Sequence, residues 1–97
     1  MLVWLDLSGN KLSELPETDF LFWMGGLRRL SLANNRIMWL PKETCHLANL
    51  EVLNLNNNEL VRLPREIEVM TKLRHLMIAH NNLEQLPSEI GRLTKLE

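Results

Sequence analysis

Cys45 is the only cysteine in the 97 residues, so no intrachain disulfide can form and the chain must hold itself together by packing alone. Asn-x-Ser/Thr sequons are missing too, although asparagine is abundant. Long apolar runs are absent: the longest covers residues 20–26, against roughly 20 residues for a helix that crosses a bilayer. The opening Met1-Leu2-Val3-Trp4-Leu5-Asp6 has neither the basic start nor the apolar core of a secretory signal. Neither charge dominates, with 11 Lys+Arg against 12 Asp+Glu and a formal charge of -1. That balance exerts no long-range pull toward nucleic acid, anionic membrane or acidic substrates. The expectation is a cytoplasmic protein with no nucleic-acid partner and no membrane span.

What the chain does have is leucine at fixed intervals. Leu2, Leu5, Leu7, Asn10 and Leu12 align with Leu27, Leu30, Leu32, Asn35 and Ile37. Leu50, Leu53, Leu55, Asn58 and Leu60 repeat the pattern, as do Leu73, Leu76, Ile78, Asn81 and Leu83. All four read LxxLxLxxNxL with Ile as the only variant, and each runs on into Leu-Pro at Pro16, Pro41, Pro64 and Pro87. The repeats span 2–26, 27–49, 50–72 and 73–95, and a fifth starts at 96. The expected organisation is therefore one repeat domain over 1–97, reading as part of a longer array.

Each repeated position has a physical reason. In Leu-x-Leu the apolar side chains alternate, so they point to one face of a short strand while the intervening residues point to the other. The asparagines Asn10, Asn35, Asn58 and Asn81 follow where the chain leaves the strand. A side-chain amide both donates and accepts, so these four are expected to form a ladder satisfying turn groups that would otherwise be buried unpaired. After the proline, Ile67, Met70 and Leu73, and then Ile90, Leu93 and Leu96, recur at helical spacing. Proline suits a first helical position, and Glu43, Glu66 and Glu89 place negative charge near that helix N-terminus. One repeat cannot bury its own leucines, whereas stacked repeats bury them between neighbours.

These residues resemble the leucine-rich repeat family over essentially the whole chain. The ending Leu86-Pro-Ser-Glu-Ile90-Gly-Arg-Leu93-Thr-Lys-Leu96 is similar to the 23-residue subclass of intracellular Ras-group proteins, which includes Ras-suppressor and Scribble-type scaffolds. The resemblance implies an α/β horseshoe solenoid with a parallel sheet on its concave face and short helices or helical turns on its convex face. It also implies a protein partner such as a small GTPase, kinase or phosphatase in intracellular signalling. Extracellular members carry disulfide-bonded caps, which a single cysteine cannot build. The first repeat departs from the pattern: between Pro16 and Leu27 it is two residues longer and rich in apolar residues, with Phe20, Phe22 and Trp23. Aromatics replacing leucines in a longer convex arc is the plainer expectation there.

Stacking turns equivalent positions into rows across the sheet. One row is Val3, Arg28, Glu51, Arg74; the next is Trp4, Arg29, Val52, His75; a third is Asp6, Ser31, Asn54, Met77. Aromatic residues and arginine are enriched where binding energy concentrates. The candidate partner-binding residues are therefore Trp4, Asp6, Arg28, Arg29, Glu51, Asn54, Arg74, His75 and Met77. Arg28, Glu51 and Arg74 read equally well as a cross-strand ion-pair row. Farther along, Met38 and Trp39, with Val61 beside Met38, form either a lateral apolar patch or a tryptophan lying over a neighbouring turn.

No enzyme signature, metal site or cofactor site is expected. His46, His75 and His80 share no zinc-like spacing with a further ligand, and Cys45 reads as a small apolar residue filling a core gap. The expected function is a non-catalytic interaction module or scaffold. The rival is a set of substrate-recognition repeats in a larger enzyme or ubiquitin ligase. Leu2, Leu5 and Leu7 at one end, and Ile90, Leu93 and Leu96 at the other, lack polar caps, so self-association through uncapped ends is expected as well.

Overall fold

The computed structural model describes residues 3–13 and 25–84. The expectations for 14–24, including the longer first convex arc, and for 85–97, including Ile90, Leu93 and Leu96, lie outside the described residues.

Each Leu-x-Leu core forms a strand of three residues: β1 is Trp4–Asp6, β2 Arg29–Ser31, β3 Val52–Asn54 and β4 His75–Met77. They lie in sequence order in one parallel sheet. The register puts Leu5, Leu30, Leu53 and Leu76 in a single row. Those leucines point inward; Leu30 and Leu53 are buried, while Leu5 and Leu76 at the outer strands are only partly so. The ladder starts one residue before each strand. The Val3 carbonyl accepts from both the Arg28 and the Arg29 N–H, and the Arg28 and Glu51 carbonyls do the same one repeat on.

Opposite the sheet, Lys42–His46 and Arg65–Val69 form 3-10 helices and pack against each other. The apolar residues that look helical in sequence recur every third position, which matches three residues per turn better than 3.6. Bonds of the i to i+3 type close each turn: the Thr44 N–H donates to the Pro41 carbonyl at 3.0 Å and the Met70 N–H to the Ile67 carbonyl at 3.0 Å. A 3-10 turn rises about 2.0 Å per residue against about 1.5 Å for an α-helix, so few residues cover a long convex arc. Pro41 and Pro64 cap these helices from extended backbone, ψ 142° and 144°. Proline therefore stands one residue before the expected first helical position, giving its carbonyl rather than merely lacking an N–H. Glu43 and Glu66 occupy the first turn as expected.

Between sheet and helices lies a leucine core including Leu32, Leu55, Leu60, Ile67, Met70 and Leu73, with Cys45 buried in it. Thr44 is fully buried as well and its hydroxyl has no partner. It stands where the following repeats have Ile67 and Ile90, a polar atom in an apolar row.

The turn after each strand is built by two devices. Gly9, Asn34, Asn57 and His80 hold equivalent positions and all have positive φ, between 57° and 72°. That region favours glycine and, among other residues, asparagine and histidine. The second device is the asparagine row. Asn35 Nδ2 donates to the carbonyls of Leu7 in the preceding repeat and Leu32 in its own, and its Oδ1 accepts from the N–H of Asn10 and Leu12. Asn58 donates likewise to Leu32 and Leu55 and accepts from Ile37; Asn81 donates to Leu55 and Ile78 and accepts from Leu60. Asn10 donates to the carbonyls of Leu7 and Ser8. The amides thus tie each repeat to the one before it, beyond the local turn. A parallel row crosses the loops ahead of the strands: Asn49 Nδ2 donates to the Gly25 carbonyl and Lys72 Nζ to Asn49 Oδ1.

Candidate functional site: the exposed face of the sheet

Because alternate strand residues point away from the core, one full face of the sheet carries the residues that the leucines leave over. Register places Trp4, Arg29, Val52 and His75 in one row and Asp6, Ser31, Asn54 and Met77 in another. Val3, Arg28, Glu51 and Arg74 form a third through the backbone bonds that precede the strands. Register thus puts Trp4, Asp6, Arg29, Asn54, His75 and Met77 on this face, while Arg28, Glu51 and Arg74 border it one residue ahead of the strands. Trp4, Asp6, Arg28, Arg29, Arg74 and His75 are exposed, and Glu51, Asn54 and Met77 are half-buried.

The face is not flat. A depression of about 350 Å³ is lined by Val3, Trp4, Arg28, Arg29 and Glu51. A second, of about 240 Å³, shares Trp4 and Arg29 and continues over Asp6, Ser31, Val52, Asn54 and Met77. Arg74 and His75 line neither of these two and flank them on the β4 side. Val3, Ser31 and Val52 line the depressions without having been singled out as site residues. Their signal was membership of the same rows, obscured because small or β-branched residues look like ordinary strand formers.

Trp4 is 62% exposed, a large apolar ring left in water where burial would be worth up to about 3 kcal/mol. Arg28 meets Glu51 at 3.7 Å, the arginine exposed and the glutamate half-buried, a pair of the surface kind that contributes about 0–1 kcal/mol. Asp6 Oδ1 accepts from the Ser8 hydroxyl and from the Ser8 N–H at 2.9 Å. Those two bonds, the hydroxyl first, hold the Asp6 carboxyl below the usual carboxylate range. Asn54 makes the same local turn, accepting from the Asn56 N–H at 3.0 Å.

At the lateral edge the apolar-patch alternative describes the surface better than a tryptophan laid over a turn. Trp39 is 57% and Met38 45% exposed, so most of the indole faces water instead of lying over the next turn. A backbone bridge pairs Trp39 with Arg62, and the Val61 N–H donates to the Met38 carbonyl at 3.2 Å.

Cys45 is enclosed in the core, and burial first, then the nearby Glu66 charge, pushes its thiol up to about 12. It is a protonated thiol at neutral pH, a poor nucleophile. Among the described residues no group of three His, Cys, Asp or Glu side chains could hold a metal ion, and no helix is long and apolar enough to cross a membrane.

Comparison with known proteins agrees with this geometry. A family profile described as a leucine-rich repeat region matches residues 1–97. The solved structure of a leucine-rich repeat protein from Leptospira interrogans superposes with a TM-score of 0.88 at 40% identity. The match covers 95% of this chain and 23% of that one, so the chain spans about a quarter of that protein's length. Comparison with functionally curated proteins found no match.

Proposed function

The chain belongs to the leucine-rich repeat family, and from that premise we propose that it is a non-catalytic interaction module whose concave sheet face holds a partner protein. The observation that carries this reading is the exposed tryptophan at the head of a four-strand face, where Trp4 and Arg29 border two adjoining depressions. Side chains borne on a backbone ladder are pre-positioned, so a partner meets them with little ordering cost. The candidates are Trp4, Asp6, Arg28, Arg29, Glu51, Asn54, Arg74, His75 and Met77. Membership of the 23-residue Ras-group subclass, a cytoplasmic location and a signalling partner such as a small GTPase, kinase or phosphatase belong to the same proposal. The 23-residue spacing of the second and third repeats supports the subclass, and the location and partner class follow from that resemblance alone.

Affinity capture followed by mass spectrometry, run in parallel on the natural chain and on variants, tests the face. Trp4→Ala with Arg29→Ala should abolish capture of a reproducible partner while circular dichroism stays unchanged. Capture that survives this pair but is lost on changing Lys42 and Arg65, on the convex side, refutes the assignment.

A further inference from the structure

We propose that the corner of the sheet face at Trp4, Arg28 and Arg29 recognises an acidic–apolar element of the partner: an Asp or Glu carboxylate on Arg29, with a neighbouring apolar side chain against Trp4 and Val3. This rests on the reading of the sheet face as the binding surface and gives that surface a ligand chemistry.

Arg29 stands beside Trp4 in the β1–β2 register and is exposed. Among the described residues its guanidinium has no ion pair and no hydrogen bond. Arg28 is held, among the described residues, only by the 3.7 Å contact to Glu51, longer than the 2.7–2.9 Å or so of a charge-assisted hydrogen bond, so that contact does not saturate its donors. Asp6, the acid on β1, is already engaged by Ser8. Along the face Arg28, Arg29 and Arg74 stand against two carboxylates, Glu51 and Asp6, an excess of one positive charge in a chain whose formal charge is -1. A planar guanidinium can grip a carboxylate through two parallel N–H bonds. The indole and Val3 supply the apolar wall of the same depression of about 350 Å³. An acid alone would leave Trp4 in water, and an apolar side chain alone would leave Arg29 unpaired; the pair of groups uses both.

Selection of a displayed random-peptide library on the full chain tests this. Enriched peptides should carry Asp or Glu within two positions of a large apolar residue. A synthetic copy should lose affinity about tenfold or more when its acid is changed to the amide or when Arg29 becomes Ala. Arg29→Lys should recover part of that loss, and Arg62→Ala on the lateral edge should change little. Acid-free peptides that still depend on Trp4 and His75 overturn the acidic specificity and leave the sheet-face reading standing. Peptides indifferent to Trp4, Arg29 and His75 overturn both. Absence of any enrichment, or displacement by a single-stranded oligonucleotide without recovery of acidic peptides, also overturns the acidic specificity.

Discussion

Replacing Asn58 with alanine isolates what the asparagine row contributes. Asn58 is buried and has repeats on both sides. Its Nδ2 donates to Leu32 at 2.9 Å and to Leu55 at 3.1 Å, and its Oδ1 accepts from Ile37 at 3.1 Å. The carbonyls survive the loss, because Leu32 still receives Asn35 and Leu55 still receives Asn81. Among the described residues the Ile37 N–H has no such second partner, and Ile37 is fully buried. Stranding one buried donor costs about 1–3 kcal/mol, a sizeable part of the roughly 5–15 kcal/mol that holds a typical domain. Asn82 is the control: it is half-buried, and among the described residues only its backbone N–H is bonded, to the Leu60 carbonyl. Asn82→Ala should stay within about 0.5 kcal/mol. Denaturant titrations with matched slopes give both values. Equal losses at the two positions, or a loss below about 0.5 kcal/mol at Asn58, would refute the hydrogen-bond reasoning.

Three further outcomes follow from buried or half-buried groups. Thr44→Val should stabilise by about 1 kcal/mol, since it removes a buried hydroxyl that has no partner while keeping the shape of the side chain; a lower denaturant midpoint would contradict this. Cys45 should resist thiol reagents in the native state and react fully once unfolded. Its folded pKa lies above the ordinary 9.0, so the stability it contributes is complete below pH 9 and fades as pH rises toward about 12. The denaturant midpoint of the natural chain should therefore fall more steeply than that of Cys45→Ala above pH 9. Leu5, Leu7, Leu76 and Ile78 are only partly buried, unlike their counterparts in the two inner repeats. Sedimentation velocity over a concentration series should accordingly show self-association, and a strict monomer at every concentration would count against it.

The strands and their inward leucines were legible because a period of two leaves no choice of face. The asparagines were legible as turn groups, since a fixed amide at the end of each strand has few other uses. Their reach into the preceding repeat was not, because sequence shows no partner across 21 to 28 residues. The convex segments looked simply helical. The three-residue spacing of Ile67, Met70 and Leu73 pointed to a 3-10 turn, but a short apolar series fits both helix types. The row of positive φ was hidden by chemistry: Gly9 announces such a backbone, whereas Asn34, Asn57 and His80 do so weakly. Of the candidate site, the shared face of Trp4, Asp6, Arg29, Asn54, His75 and Met77 followed from strand alternation. The engagement of Asp6 by Ser8, and the lack of a partner for the Arg29 guanidinium among the described residues, depend on side-chain placement that no row of letters specifies.

The most direct test of the sheet face as the binding surface is amide chemical-shift mapping of the labelled chain as a captured partner is added. The largest changes should fall on residues 3–6, 28–31, 51–54 and 74–77, with the Trp4 indole among the first signals to move. Changes concentrated on Lys42–His46 and Arg65–Val69, with the strand amides still, would place the partner on the convex side and contradict the account.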